Sequence, residues 1–118
     1  MKFLWCTILV KDLDETLGFY QDVVGLSINE RFKTGENSEI VFLGDGETKI
    51  ELIYNEKNKV SEKKGISIGF EVDCIEDMIE RISKKGHEVH SGPFETPDIR
   101  FFFVRDPNGV NVQFVEWK

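Results

Sequence analysis

The chain of 118 residues is poor in cysteine, proline and histidine, short of basic residues, and has no long apolar run. Each shortage removes a class of protein. Two cysteines, Cys6 and Cys74, cannot staple a domain of this length, and neither belongs to a CxxC pair, so both are expected as structural thiols. With 15 Lys and Arg against 22 Asp and Glu, the formal charge is -7. Phosphate binding needs a basic surface, which excludes nucleic acid as a partner, while the acidic balance favours a cationic ligand. No stretch approaches the roughly 20 apolar residues that span a bilayer, and no basic segment followed by an apolar run opens the chain. No membrane association is expected, and the expected location is cytoplasmic. Apolar residues at 40% and charged residues at 31% are those of a globular domain with a real core, which excludes disorder.

What the chain does have is a repeat of itself. When it is slid along its own length until Trp5 falls on Ser67, Glu51 falls on Gln113, and apolar residues coincide throughout. Ile8 meets Phe70, Val10 meets Val72, Leu13 meets Ile75, Leu17 meets Ile79 and Tyr20 meets Ile82. Farther along, Ile40 meets Phe102, Phe42 meets Val104, Ile50 meets Val112 and Leu52 meets Phe114. Two turns, Gly44-Asp45-Gly46 and Pro107-Asn108-Gly109, come together to within about a residue. Self-similarity of this kind marks a duplicated structural unit.

Each copy reads as strand, helix and three strands. The first strand is predicted over Phe3 to Val10; Asp12 and Glu15 then form a helix-capping pair, and Leu13, Leu17, Tyr20 and Val24 recur at helical spacing up to the stop at Gly25. The second copy repeats this with a strand over Ile66 to Val72, a stripe of Ile75, Ile79 and Ile82, and a stop at Gly86. Strands are predicted near Ser27 to Phe32, Glu39 to Leu43 and Lys49 to Tyr54, and near His87 to His90, Arg100 to Val104 and Val110 to Val115. Hairpin turns fall at Asp45-Gly46 and Asp106-Pro107-Asn108-Gly109. The domain plan is one module over 1–54, a charged linker over 55–65 and a second module over 66–118. The fold class is α+β: two tandem βαβββ modules forming a curled mixed sheet around a concave cavity.

Alternation within strands locates the face that could hold a ligand. Ile68, Phe70 and Val72 should pack under a helix, turning Ser67, Gly69 and Glu71 the other way. The same rule sends Val110, Val112 and Phe114 inward with Asn111, Gln113 and Val115 outward, and Ile50 and Leu52 inward with Lys49, Glu51 and Ile53 outward. At least one of Phe101, Phe102 and Phe103 also reaches the outward face. Concave surfaces between repeated units commonly hold small ligands.

Three segments carry a resemblance to a known family: Val10-Lys11-Asp12-Leu13 with Phe19-Tyr20 and Val24-Gly25-Leu26; Ile50 to Asn55; and Val104 to Gly109 with Val112 to Glu116. Together they make the chain similar to the vicinal oxygen chelate superfamily of glyoxalase I, bleomycin-resistance proteins, fosfomycin-resistance enzymes and extradiol dioxygenases. The resemblance implies paired βαβββ modules and, in the metal-dependent members, a divalent ion held by His and Glu. In glyoxalase I the ligand pattern is similar to His, Glu, His, Glu at positions matching Trp5, Glu51, Ser67 and Gln113. Indole cannot ligate a metal, a neutral hydroxyl is a poor ligand, and an amide oxygen is weak without charged neighbours. Only Glu51 is kept, so no tight metal and no other cofactor are expected. The two histidines, His87 and His90, fall outside this pattern and are expected at the surface or satisfied locally. Asn55 matches an asparagine that helps hold glutathione in glyoxalase I, whereas the arginine expected on the first strand is Leu9.

Two functions follow from this reading. The first is metal-independent binding of a small molecule, planar or cationic, similar to the bleomycin-resistance branch, with Trp5, Glu51, Ser67, Gln113, Glu71 and Asn55 as ligand-binding residues. Trp5 either stacks on the ligand or fills the space that a metal occupies in relatives. The alternative is a lactoylglutathione-lyase-like isomerase, or another lyase or epimerase, with Glu51 as catalytic base. A homodimer is expected in either case.

Overall fold

A computed structural model describes every residue except Glu62 and Lys64, which both lie in the predicted linker. The chain divides into two compact units, Met1–Ser61 and Glu62–Lys118. Both are βαβββ modules, as the repeat predicts.

In the first unit, β1 (Trp5–Leu9) leads into α1 (Leu13–Gly18), which widens into a π-helical segment over Phe19–Val24. The helix starts where the sequence indicates: Asp12 is extended, and its carboxylate accepts the Glu15 amide at 3.0 Å. It stops at Gly25, whose φ of 89° is open to glycine at little cost. Three strands follow, β2 (Ile28–Gly35), β3 (Ser38–Leu43) and β4 (Lys49–Asn55). The sheet order is β1-β4-β3-β2, with β1 parallel to β4 and the remaining pairs antiparallel. Ile8, Ile50, Leu52, Val41 and Leu43 pack beneath the helical segment with Leu13, Leu17, Phe19, Tyr20 and Val23, and this layer is the unit's core.

The second unit repeats the plan with β5 (Ser67–Glu71), α2 (Ile75–Lys84), β6 (Ser91–Glu95), β7 (Ile99–Arg105) and β8 (Asn111–Trp117) in the order β5-β8-β7-β6. Its core joins Ile75, Met78 and Ile82 to Phe102, Val104, Val112 and Phe114. Met78 takes a place that the predicted stripe gives to Ile79, which is half-buried. Cys74 at the N-cap forms no side-chain cap bond; instead the Glu116 carboxylate of β8 accepts the Ile75 amide at 2.8 Å. No helix among the described residues is long and apolar enough to cross a membrane.

Two expectations are corrected. The sixth strand lies at Ser91–Glu95 rather than near His87 to His90. His87 is drawn into the turn after α2, its amide donating to Ile82 at 2.9 Å, and contact with β7 begins at the His90 amide, which donates to the Phe103 carbonyl at 2.7 Å, with strand pairing from Ser91 onward. Ser-Gly-Pro-Phe-Glu reads as a loop, but an edge strand tolerates proline because one side of its backbone needs no partner. The gapless overlay also slips in the third strand of each unit. Leu43 pairs with Ile50 and Val41 with Leu52, whereas Val104 pairs with Val112 and Phe102 with Phe114. The second hairpin is therefore one residue longer, and Val41 and Leu43, not Ile40 and Phe42, correspond to Phe102 and Val104. A one-residue slip exchanges the faces of a strand, so Ile40 and Phe42 belong to the outward face.

The candidate active site

The corrected register turns the outward face of the first sheet into a site with one buried carboxylate. Parallel pairing of β1 with β4 sets Thr7 opposite Glu51, and antiparallel pairing of β3 with β4 sets Phe42 on its other side. Glu51 is thus bracketed on its own face, which explains why an outward-pointing carboxylate is only 9% exposed. The Thr7 hydroxyl donates to Glu51 Oε1 at 2.6 Å. Phe42 extends the apolar wall. Its ring meets the edge of Trp5 with centroids 5.3 Å apart and stacks against Phe32 at 6.5 Å. Trp5 remains 46% exposed, and a hollow of about 220 Å³ beside it is lined by Trp5, Glu30, Phe42 and Lys49 among others.

On the second sheet, Ser67 is exposed opposite Asn111, and Gln113 is half-buried opposite Gly69. Farther along, the Trp117 indole N–H donates to Glu71 Oε2 at 2.7 Å. Glu71 and Gln113 line one groove of about 530 Å³ with Gly69, Asp98, Val115 and Trp117. Phe101 and Phe103 lie half-exposed on this face in a T-shaped pair at 5.8 Å, with Phe102 fully buried beneath, as alternation predicts. The Asn111 side-chain oxygen is buried and takes no hydrogen bond among the described residues.

Asn55 sits apart from Glu51. Its side-chain oxygen accepts the Lys57 amide at 3.0 Å, closing the turn after β4, and it lines a separate hollow of about 250 Å³ with residues 35–38. His90 is exposed and His87 half-buried, neither of them on the faces just described. Sequence reasoning missed Thr7, Phe42 and Trp117. Thr7 shares the parity of Trp5 on β1 and could have been found by alternation; Phe42 was hidden by the slip in the repeat.

The four positions matched to metal ligands do not fit a metal. The first unit offers one carboxylate, already taken up with a hydroxyl, beside an indole that packs on Phe42. The second offers only a hydroxyl and an amide at its matched positions. A catalytic ion needs about three protein ligands, with charge or soft donors among them. Cys74, Glu76 and Glu116 do bring ligand atoms within 4.8 Å of one another. Those carboxylates are engaged otherwise, since Arg100 bonds Glu76, lies 3.5 Å from Glu116, and Glu116 also holds the start of α2. The hydrogen bond from Arg100 holds the Glu76 carboxyl down at about 2, and a similar bond from Arg31 lowers Glu39. These pairs anchor helix and strand.

The whole chain has close counterparts. The profile of the Glyoxalase/Bleomycin resistance protein/Dioxygenase superfamily matches residues 2–114. The lactoylglutathione lyase of Haemophilus influenzae is 36% identical over 132 aligned residues, covering 100% of this chain and 94% of the relative. That of Salmonella typhimurium is 31% identical over 131 residues, with 100% and 94% covered. Among solved structures, the trypanothione-dependent glyoxalase I of Leishmania major superposes with a TM-score of 0.83 at 23% identity, covering 98% of this chain and 86% of that one. A glyoxalase I mutant from Zea mays gives 0.85 at 22% identity, covering 98% of this chain and 44% of that one. With a profile match over nearly its full length and relatives above 30% identity, the chain belongs to the Glyoxalase/Bleomycin resistance protein/Dioxygenase superfamily.

Proposed function

We propose that this protein is a lyase of the lactoylglutathione lyase kind, moving a proton between adjacent carbons of a thiol adduct of a 2-oxoaldehyde with Glu51 as the base. The observation that carries the reading is the Glu51 carboxylate itself, set in an apolar, aromatic face and held by one hydroxyl. The full-length similarity to lactoylglutathione lyases supports it. The carboxylate takes the proton from the carbon bearing sulfur and hydroxyl, and the electron pair moves toward the neighbouring carbonyl, whose oxygen takes up a proton as the hydroxyl gives its own up to solvent; the carbon-bound proton then returns to the neighbouring carbon, leaving a thioester carbonyl and a new hydroxyl. The product is an isomer, so no oxidant or reductant is consumed. A carboxylate positioned at the proton contributes about 10²- to 10⁴-fold to such a transfer. Because the matched donor set does not fit a divalent ion, no step is assigned to one.

A second reading keeps the same face for binding alone. Trp5 and Phe42 form a surface on which a planar, cationic molecule would stack, with the Glu51 carboxylate on the same face; on the second unit, Glu71 beside Trp117 lines a groove of its own with negative charge. Ser67 and Gln113 on the second unit, and Asn55 at its separate hollow, are further proposed as ligand-binding residues. The protein is further proposed to act in the cytoplasm as a homodimer. Incubation with methylglyoxal and glutathione, after chelation and again with added nickel or zinc, separates the two functions. Product formation lost in Glu51→Gln supports the lyase; quenching of Trp5 fluorescence by planar cations with no turnover supports the binder.

A further inference from the structure

We infer that Thr7 is a positioning residue for Glu51, fixing the direction of the carboxylate and leaving Oε2 as the atom that takes the substrate proton. The inference rests on the lyase reading and extends it to a residue outside the matched metal-ligand positions. The parallel register puts Thr7 directly across from Glu51, and their hydrogen bond is short at 2.6 Å, as expected when a hydroxyl donates to a charged oxygen. Among the described residues no other hydrogen bond reaches this carboxylate, so Oε1 is tied and Oε2 is open. A glutamate has several rotatable bonds, whereas threonine is branched at Cβ and stiff at χ1. A stiff donor on a paired strand therefore limits a flexible base to one orientation, and orientation of the reacting groups is itself a large part of catalysis.

The duplicated unit supplies an internal comparison. Gln113 stands in the corresponding place on β8, and opposite it lies Gly69, which has no hydroxyl to give. The base and its donor are therefore present together in one unit and absent together from the other.

The test uses Thr7→Val, which keeps the shape and the β-branch, and Thr7→Ser, which keeps the hydroxyl. Thr48→Val serves as control, since that hydroxyl donates to the carbonyl of exposed Phe3, away from Glu51. With methylglyoxal and glutathione as substrate, Thr7→Val should lower kcat about tenfold, the effect of losing one hydrogen bond to a charged group, with KM within about twofold. Thr7→Ser should recover most of the loss. Unchanged kcat in Thr7→Val, or a Thr7→Ser as impaired as Thr7→Val, overturns the inference. Carbon-13 NMR of the Glu51 carboxyl at one fixed pH tests the same pairing without turnover: its resonance should differ between Thr7→Val and the wild type and return toward the wild-type position in Thr7→Ser, and an identical resonance in Thr7→Val overturns the assignment of Thr7. An inactive wild type that still shows the NMR difference refutes the lyase reading while retaining the Thr7 contact.

Discussion

Asp106 holds the longer hairpin that sets the register of β8, and its replacement is the sharpest test of how the second unit is built. Its side chain is 5% exposed, and Oδ1 accepts two backbone amides, from Asn108 and Val110, each at 2.8 Å. Its own amide donates to the Val110 carbonyl at 2.9 Å. Asp106→Ala would leave two buried N–H groups without their acceptor. Each such loss costs about 1–3 kcal/mol, so the pair should lower stability by about 3 kcal/mol. Asp106→Asn keeps a side-chain oxygen in the same place for the two amides and should cost about 1 kcal/mol. Urea unfolding should be followed by fluorescence in a Trp5→Phe background, where Trp117 reports on the second unit alone, with the midpoint and the slope both fitted. A fall under 1 kcal/mol in the alanine variant, or equal losses in the two variants, would refute the role of Oδ1 as a shared acceptor.

Other consequences are simpler to check. Glu76 is held at about 2 against an ordinary 4.5, first by the Arg100 hydrogen bond. A lowered carboxyl stabilises the fold above its unfolded value, and that contribution disappears as pH falls through its folded value. The stability difference between wild type and Arg100→Gln should therefore be constant above about pH 5 and shrink between 4.5 and 2. A gap that widens on acidification, measured by circular dichroism, would contradict the pairing. Gly92 has φ of 98°, and a Cβ there would come within 3.2 Å of the Phe101 carbonyl and Phe102 Cα. Gly92→Ala should cost about 2 kcal/mol through backbone strain alone, read as a lower thermal midpoint; an unchanged midpoint would mean β6 can shift away from β7.

The order of elements was legible because its signals are local. Asp12, Gly25 and Gly86 mark helix ends through backbone conformation, and alternation in β4 and β8 separates Leu52 from Glu51 and Phe114 from Gln113. The sixth strand was not legible, because Gly92 and Pro93 read as a turn until β7 supplies a partner. The π-helical widening over Phe19–Val24 leaves the apolar stripe almost unchanged, so periodicity does not register it. The surroundings of Glu51 were hidden for another reason. They depend on pairing between strands far apart in the chain, and one extra residue in the second hairpin made Phe42 look like core.

The central claim is that Glu51 is a working base rather than a remnant of a lost metal site. It is tested most directly by single-turnover conversion of the methylglyoxal–glutathione adduct by chelator-treated wild type and Glu51→Gln, with proton exchange at the transferred position followed by NMR. Glutamine fills the same space and can still accept the Thr7 hydroxyl, so folding should be retained while the proton acceptor is removed. The account predicts conversion by the wild type, at least about a hundredfold slower in Glu51→Gln, with no stimulation by added nickel or zinc. Absence of conversion by the wild type under both conditions, or equal rates in the two proteins, would contradict it.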